Sequence, residues 1–303
     1  MKLQLLTFLL LSFVGLAQEF DIDIKNLDIN TEYPHFGVMP VSGNQVIFTS
    51  YKLKKNGKVK VAFSGEGVLS IYKGKMDNQG QIYGVEEIKI DPLAGLGSIT
   101  SAAISADGNK IYIMTTYSSK TMPKGKFNKA NFHLEVGEFK NGVGFTNFKV
   151  LSFCQPKFSY GHPALSIDGK TLYFTANIKG GRQSTKGGSD IFKVDVLGDN
   201  TFSDPVNLGY KVNSYSREMF PIITDDALYF SSDRRNGFGG YDIYKSEIDS
   251  TGAFLKAEKL PRPINSVLDD FSYVLFSDEK SGLLVSKRSG GKGDDDIYYF
   301  SPK

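Results

Sequence analysis

The sequence predicts an all-β protein: a single five-bladed β-propeller of four-stranded antiparallel blades, its last blade closed by an N-terminal strand. Three observations predict it. An apolar-aromatic strand recurs five times at similar spacing, and a second such strand follows each copy at a similar offset. The fifth copy stops short of its final strand, while the N-terminus holds a spare one. The composition agrees: 23 Phe, 16 Tyr and 32 Gly with no Trp suit many short strands between turns better than long helices.

The first segment precedes the fold. Met1-Lys2 is a short basic start, Leu3–Leu16 is a mostly apolar run of 14 residues, and Gly15-Leu16-Ala17 puts small residues at the −3 and −1 positions. This reads as a secretory signal over residues 1–17 with cleavage before Gln18. The run is too short to span a bilayer, no stop-transfer flank follows, and no cysteine stands at the cleavage point to take a lipid. Residues 18–303 are then one exported propeller domain, expected in the periplasm at the outer membrane. The formal charge of +3 with 23% charged residues does not suggest a general nucleic-acid binder. Cys154 is the only cysteine, so no internal disulfide is possible, and its setting after Phe153 reads as a small buried apolar position.

The second strands are QVIFTS (45–50), KIYIMT (110–115), TLYFTA (171–176), ALYFSS (227–232) and GLLVSK (282–287). Taking Phe48, Ile113, Phe174, Phe230 and Val285 as equivalent gives spacings of 65, 61, 56 and 55 residues. The third strands follow as LSIYKG (69–74), HLEVGEF (133–139), SDIFKV (189–194), YDIYKS (241–246) and DDIYYF (295–300). First strands end in small or acidic turns such as SADG (105–108) and SIDG (166–169), and segments such as DPVNLG (204–209) and KAEKLPRPI (256–264) supply fourth strands. The chain ends just after the fifth copy's third strand. FDIDIKNLDINTEYPHF (20–36) matches the blade junctions NLGYKVNSYSREMF (207–220) and RPINSVLDDF (262–271), aligning Asn30, Asn213 and Asn265, and then Phe36, Phe220 and Phe271. Residues 20–29 are therefore expected to supply the outer strand of the last blade, which leaves the ring no open edge.

The run VNSYSREMFPIITDDALYFSSDRRNGFGGYDIY (212–244) resembles the WD-like propeller repeat of TolB-type proteins, in the version found in outer-membrane-associated OmpA-family proteins of Bacteroidetes. The resemblance covers essentially residues 20–303 and is sharpest in blades 3 and 4, weakest in blade 1. It implies an envelope protein working beside an outer-membrane complex such as the type IX secretion and gliding machinery. The peptidoglycan-binding domain of those relatives has no counterpart here, so cell-wall attachment is not implied.

Several motifs read as architecture. Gly187–Ile191 and Gly239–Ile243 share Gly-Gly-x-Asp-Ile, but no helix follows to make a phosphate loop; Asp190, Asp242 and Asp296 are expected to cap their turns through backbone N–H groups. Asp294–Asp296 lacks the spacing of a calcium loop. His133 reads as a packing or surface residue. No Ser or Cys nucleophile and no opposed acid pair stands out, so neither catalytic residues, a metal site nor a cofactor is expected.

Two surfaces remain. The loops between second and third strands are long and basic, holding 17 of the 36 Lys and Arg. Lys124, Lys126, Lys179, Arg182, Lys186, Arg234, Arg235, Lys287 and Arg288 make up a candidate partner-binding face, since scaffold-borne loops on one face are where binding usually lives. On the same face, His35, Tyr160, His162, Arg217, Glu218, Asp269 and Asp270 fall at the mouth of the central channel. The first expectation is a non-catalytic scaffold that docks through the basic loops on an outer-membrane or periplasmic protein complex. The alternative is a carbohydrate- or small-ligand-binding propeller, or a hydrolase, using the channel mouth.

Overall fold

The computed structural model describes residues 21–303 apart from 63–64, 119, 124–127, 129 and 199; the leader expected over residues 1–17 lies outside the described residues. Strand β1 (Ile22–Asn26) comes first in the chain and last in the ring. Blade 1 holds β2 (Phe36–Pro40), β3 (Gln45–Tyr51), β4 (Leu69–Met76) and β5 (Ile82–Glu87). Blade 2 holds β6 (Ile99–Ile104), β7 (Lys110–Thr116), β8 (Phe132–Lys140) and β9 (Gly144–Val150). Blade 3 holds β10 (Tyr160–Leu165), β11 (Thr171–Ala176), β12 (Asp190–Gly198), β13 (Thr201–Phe202) and β14 (Val206–Asn207). Blade 4 holds β15 (Glu218–Ile223), β16 (Ala227–Ser232), β17 (Asp242–Glu247) and β18 (Glu258–Lys259). Blade 5 holds β19 (Asp270–Leu275), β20 (Gly282–Ser286) and β21 (Asp296–Pro302), and β1 lies antiparallel on β21 with Ile24 opposite Phe300. The ring thus closes as expected, with a shorter strand than residues 20–29. The outer edges of blades 3 and 4 are cut to two-residue strands, which present little edge for pairing with another chain.

The second strands are buried on both faces, because successive side chains point to opposite neighbours. In β16, Leu228 and Phe230 enter the core shared with blade 3, while Ala227 and Tyr229 enter the core shared with blade 5. The same division in the other blades gives five apolar cores, one per blade interface. It also explains why these strands read as near-continuous apolar runs.

At three junctions one asparagine clamps two blades. Ile191, Ile243 and Ile297 each donate their N–H to the side-chain oxygen of Asn213, Asn265 and Asn30 and accept from its amide, at 2.7–3.0 Å. Each asparagine therefore imitates a strand partner where the backbone turns away. The neighbouring aspartates cap their loops as expected: Asp190 accepts from the N–H groups of Lys186 and Gly187, Asp242 from Phe238 and Gly239, and Asp296 from Lys292 and Gly293.

Strand register corrects two sequence alignments. Ser232, Ser286, Ala176 and Ser50 share one position, opposite Asp242, Asp296, Asp190 and Ser70, so the counterpart of Phe48, Phe174 and Phe230 in blade 5 is Leu284, one residue away from Val285, whereas Ile113 of blade 2 faces the preceding blade as they do and keeps its place. Likewise Phe36 and Phe271 align with Met219, and Phe220 aligns with Gly37. A slip of one exchanges the two faces of a strand, and apolar runs buried on both faces hide such a slip from pattern matching.

Candidate functional site

Every inner strand carries a bulge at the channel, and four of the five bulged residues have positive φ: Gly37 (62°), His162 (48°), Phe220 (49°) and Ser272 (51°). The bulge turns one residue per blade towards the axis, a glycine in blade 1. Phe220 crosses the axis from blade 4, its Cε1 lying 3.8 Å from where a Cβ on Gly37 of blade 1 would stand; the positive φ, not a lack of space, is what favours glycine there. The His162 and Phe271 rings sit 4.1 and 5.7 Å from that of Phe220. Aromatic packing thus plugs the channel and leaves its mouth a dish.

The residues predicted for the mouth separate into two sets. His35, Tyr160, Glu218 and Asp270 occupy one equivalent position and are buried between blades. Glu218 is met by Arg234 at 3.1 Å and accepts from Ser232 and Ser214; burial pushes its carboxyl up, with these partners opposing. Asp270 is met by Arg288 at 2.9 Å and by Ser286. Both arginines also donate to junction carbonyls, Arg234 to Val212 and Arg288 to Ile264, and lie against the rings of Tyr244 and Tyr298. Their side chains keep only 15% and 14% of their surface. These two cations of the predicted partner face are therefore parts of the blades.

At the surface of the dish, Asp269 and Asp295 flank Lys287 at 3.8 and 3.9 Å, with Asp294 at 3.4 Å. Burial pushes the Asp295 carboxyl up to about 6, the neighbouring carboxylates adding and Lys287 opposing. Lys287 is thus neutralised by acids. Lys124 and Lys126 lie outside the described residues. Lys179 donates to the Gly187 carbonyl at 3.1 Å, Lys186 lies 5.8 Å over the Tyr210 ring, and Arg182 and Arg235 are exposed. Among the described residues no group of three His, Cys, Asp or Glu could hold a metal ion.

Two concavities open on this side. A hollow of about 290 Å³ at blades 3 and 4 is lined by Ser159, His162, Asn177, Arg217, Met219 and Tyr241, among others. Burial pushes the His162 imidazole down to about 3, so the ring is neutral. A larger cleft, about 680 Å³, lies between the ring-closing segment and blade 1. Tyr33, Phe48, Tyr51, Tyr72 and Tyr83 line it with Leu53 and Val85, and Asp28, Thr31, Glu32 and Ser50 add polar groups. Tyr33 packs edge-on against Tyr51 at 6.0 Å, Phe48 stacks with Tyr72 at 5.8 Å, and Tyr83 keeps 51% of its surface exposed. The cleft was not visible from spacing, because it lies in the copy that follows the repeat least. Blade 2 buries its own polar group: His133, stacked on Tyr117 at 3.9 Å, bonds Glu135 at 2.7 Å. Burial pushes the nearby Cys154 thiol up to about 12, leaving it unreactive.

No protein-family model and no curated protein sequence matches the chain. Solved structures do match in fold. A thermostable family-43 glycoside hydrolase aligns with a TM-score of 0.54 and 12% identity over 91% of both chains. An α-L-arabinofuranosidase from Lactobacillus brevis gives 0.51 and 13% over 90% of both, and a β-1,2-mannobiose phosphorylase from Listeria innocua gives 0.52 and 10% over 93% of this chain and 97% of its own. The chain spans only 45% of the length of a puromycin-hydrolysing peptidase from Mycobacterium tuberculosis that it matches with a TM-score of 0.45 and 12% identity. These matches stand against the expectation of a non-catalytic scaffold on an outer-membrane complex: the propellers matched end to end are themselves named as glycoside hydrolases and a phosphorylase. Enzyme propellers can draw their reacting groups from different blades, so the lack of a contiguous catalytic motif was no ground for excluding activity. The chain is a five-bladed β-propeller that shares its fold with glycoside hydrolases and phosphorylases.

Proposed function

We propose that this chain is a saccharide-binding propeller whose binding site is the aromatic cleft of blade 1, with glycoside cleavage as the chemistry to test there. The cleft carries the reading. A pyranose ring has an apolar C–H face edged by hydroxyls; tyrosine rings shed water against that face, and carboxylates at the rim accept from the hydroxyls. The cleft has both, with Tyr33, Tyr51 and Tyr83 reaching its surface and Asp28 and Glu32 at its edge. The fold shared with carbohydrate-active propellers supports the reading, as does its size, which lies within the roughly 300–1,000 Å³ of small-molecule sites. Export through the leader and kinship with TolB-type envelope propellers belong to the same proposal: the saccharide would be met in the periplasm or at the outer membrane.

The test is a glycan array followed by calorimetry on residues 18–303. Tyr51→Ala and Tyr83→Ala are each expected to weaken the best ligand roughly tenfold with the fold retained, as for loss of one aromatic contact. If no glycan binds at millimolar concentration, the reading is wrong. For cleavage, release of reducing ends is followed in Asp28→Asn and Glu32→Gln. Full activity in both would place the chemistry elsewhere.

A further inference from the structure

The hollow on the far side of the dish has a chemistry of its own. Among the described residues Arg217 is the only charged one lining it. The backbone N–H of Arg217 donates to Asp233 Oδ1 at 2.7 Å, while its Nε stands 3.8 Å from Asp233 Oδ2, beyond hydrogen-bond distance. The Tyr241 hydroxyl lies beside the guanidinium. A Cβ on Gly188 would come within 2.7 Å of Arg217 Cγ, so Gly188 is what lets the arginine lie along the wall. The guanidinium thus lies between Asp233 and Tyr241 with its N–H groups open to a ligand, and the side chain remains 62% exposed.

The other polar groups are sorted by the bonds they already make. Asn177 Oδ1 accepts from the Ser159 N–H at 2.7 Å, which fixes the amide and leaves its Nδ2 donor free. Ser159 and Ser189 spend their hydroxyl protons on Asn131 and on the Glu218 carbonyl. The Thr175 hydroxyl donates to the Gly161 carbonyl at 3.2 Å, so it accepts from Nδ1–H of His162 at 2.9 Å. His162 is neutral, and its Nε2 is then an acceptor.

We propose that this hollow binds a hexuronate: the sugar carboxylate on Arg217 and Asn177, a ring hydroxyl donating to His162 Nε2, and the C–H face against Met219 and Tyr241. The planar guanidinium with one amide donor matches a carboxylate better than a phosphate, which wants more charge. The volume suits one ring. The inference rests on the saccharide reading of the protein, to which it adds an acidic sugar and a second site.

The experiment is calorimetry of residues 18–303 with glucuronate, glucose and lactate, in the wild type and in Arg217→Gln, Arg217→Lys and Tyr83→Ala. Glucuronate should bind at least tenfold tighter than either glucose or lactate. Arg217→Gln should cost roughly tenfold to a hundredfold, the loss expected for one charge-assisted pair, and Arg217→Lys less. Tyr83→Ala should leave glucuronate binding unchanged. Unaltered melting curves establish that each variant is folded, as the exposure of Arg217 leads us to expect. Equal binding of glucuronate and glucose, equal binding of lactate, or wild-type affinity in Arg217→Gln would each overturn the inference. The saccharide reading of the cleft stands or falls separately, on neutral glycans and the tyrosine variants.

Discussion

Blades 4 and 1 fill the same positions with different residues. In blade 4, Glu218, Ser232, Phe230 and Tyr244 surround the Arg234 guanidinium, which lies 5.3 and 4.6 Å from the two ring centres. Their counterparts in blade 1 are His35, Ser50, Phe48 and Tyr72, and all four line the aromatic cleft. Lys52 stands where Arg234 would, but it pairs with Glu87 on the outer strand. The cleft is thus the space that an arginine closes in blade 4, and that Arg288 closes against Asp270 in blade 5. The residues that make the repeat recognisable are consumed in holding blades together. The cleft opens where the repeat lapses.

That comparison predicts unequal costs for removing equivalent cations. Arg234→Ala leaves Glu218 buried without its partner and should destabilise the protein by about 3–5 kcal/mol in urea unfolding. Lys52→Ala removes a pair whose side chains are 35% and 34% exposed and should cost about 1 kcal/mol or less. Equal costs would break the comparison. A smaller effect is expected at the clamps. Asn265→Ala orphans the N–H of Ile243 within a buried junction and takes one of two donors from its carbonyl, which keeps the Leu260 N–H, with an expected loss of about 1–3 kcal/mol. A loss below about 0.5 kcal/mol would mean that water replaces the amide and that the clamp is not structural.

The blades and their closure were legible because second strands packed on both faces repeat the same apolar-aromatic signature, and Phe174 and Phe230 mark it at matching places. Register was not, since in such strands a shift of one costs the pattern nothing. Counting cations on loops could not separate Arg234 and Arg288, which fold back onto buried acids, from Arg182 and Arg235, which stay in water. One signal was present: Glu218 with Arg234 and Asp270 with Arg288 recur together in two copies, and an acid and a base kept in step across repeats point to a structural pair. The cleft was hidden because it depends on residues in which blade 1 differs from the other copies. The useful sequence question was where blade 1 departs, at His35 and Lys52.

The smallest effect compares the hollow with the rest of the molecule through His162. Its folded pKa lies at about 3, below the ordinary value of 6.5, because burial penalises the imidazolium. Between those values the unfolded chain binds a proton that the folded one does not, so stability falls as pH drops through 6.5. Asp295 acts in the opposite sense. With its carboxyl at about 6, the folded state takes up its proton first as the pH falls through that value, which favours folding. A net pH profile therefore mixes the two, and the difference between variants separates them. His162→Asn keeps a residue that tolerates the positive φ and removes the imidazole. On lowering the pH from 6.5 to 5.5 the wild type should lose about 1 kcal/mol relative to this variant, read from urea midpoints at each pH. Parallel profiles would mean that His162 is protonated as freely in the fold as in water, and an imidazolium at that position would have no lone pair to accept a sugar hydroxyl.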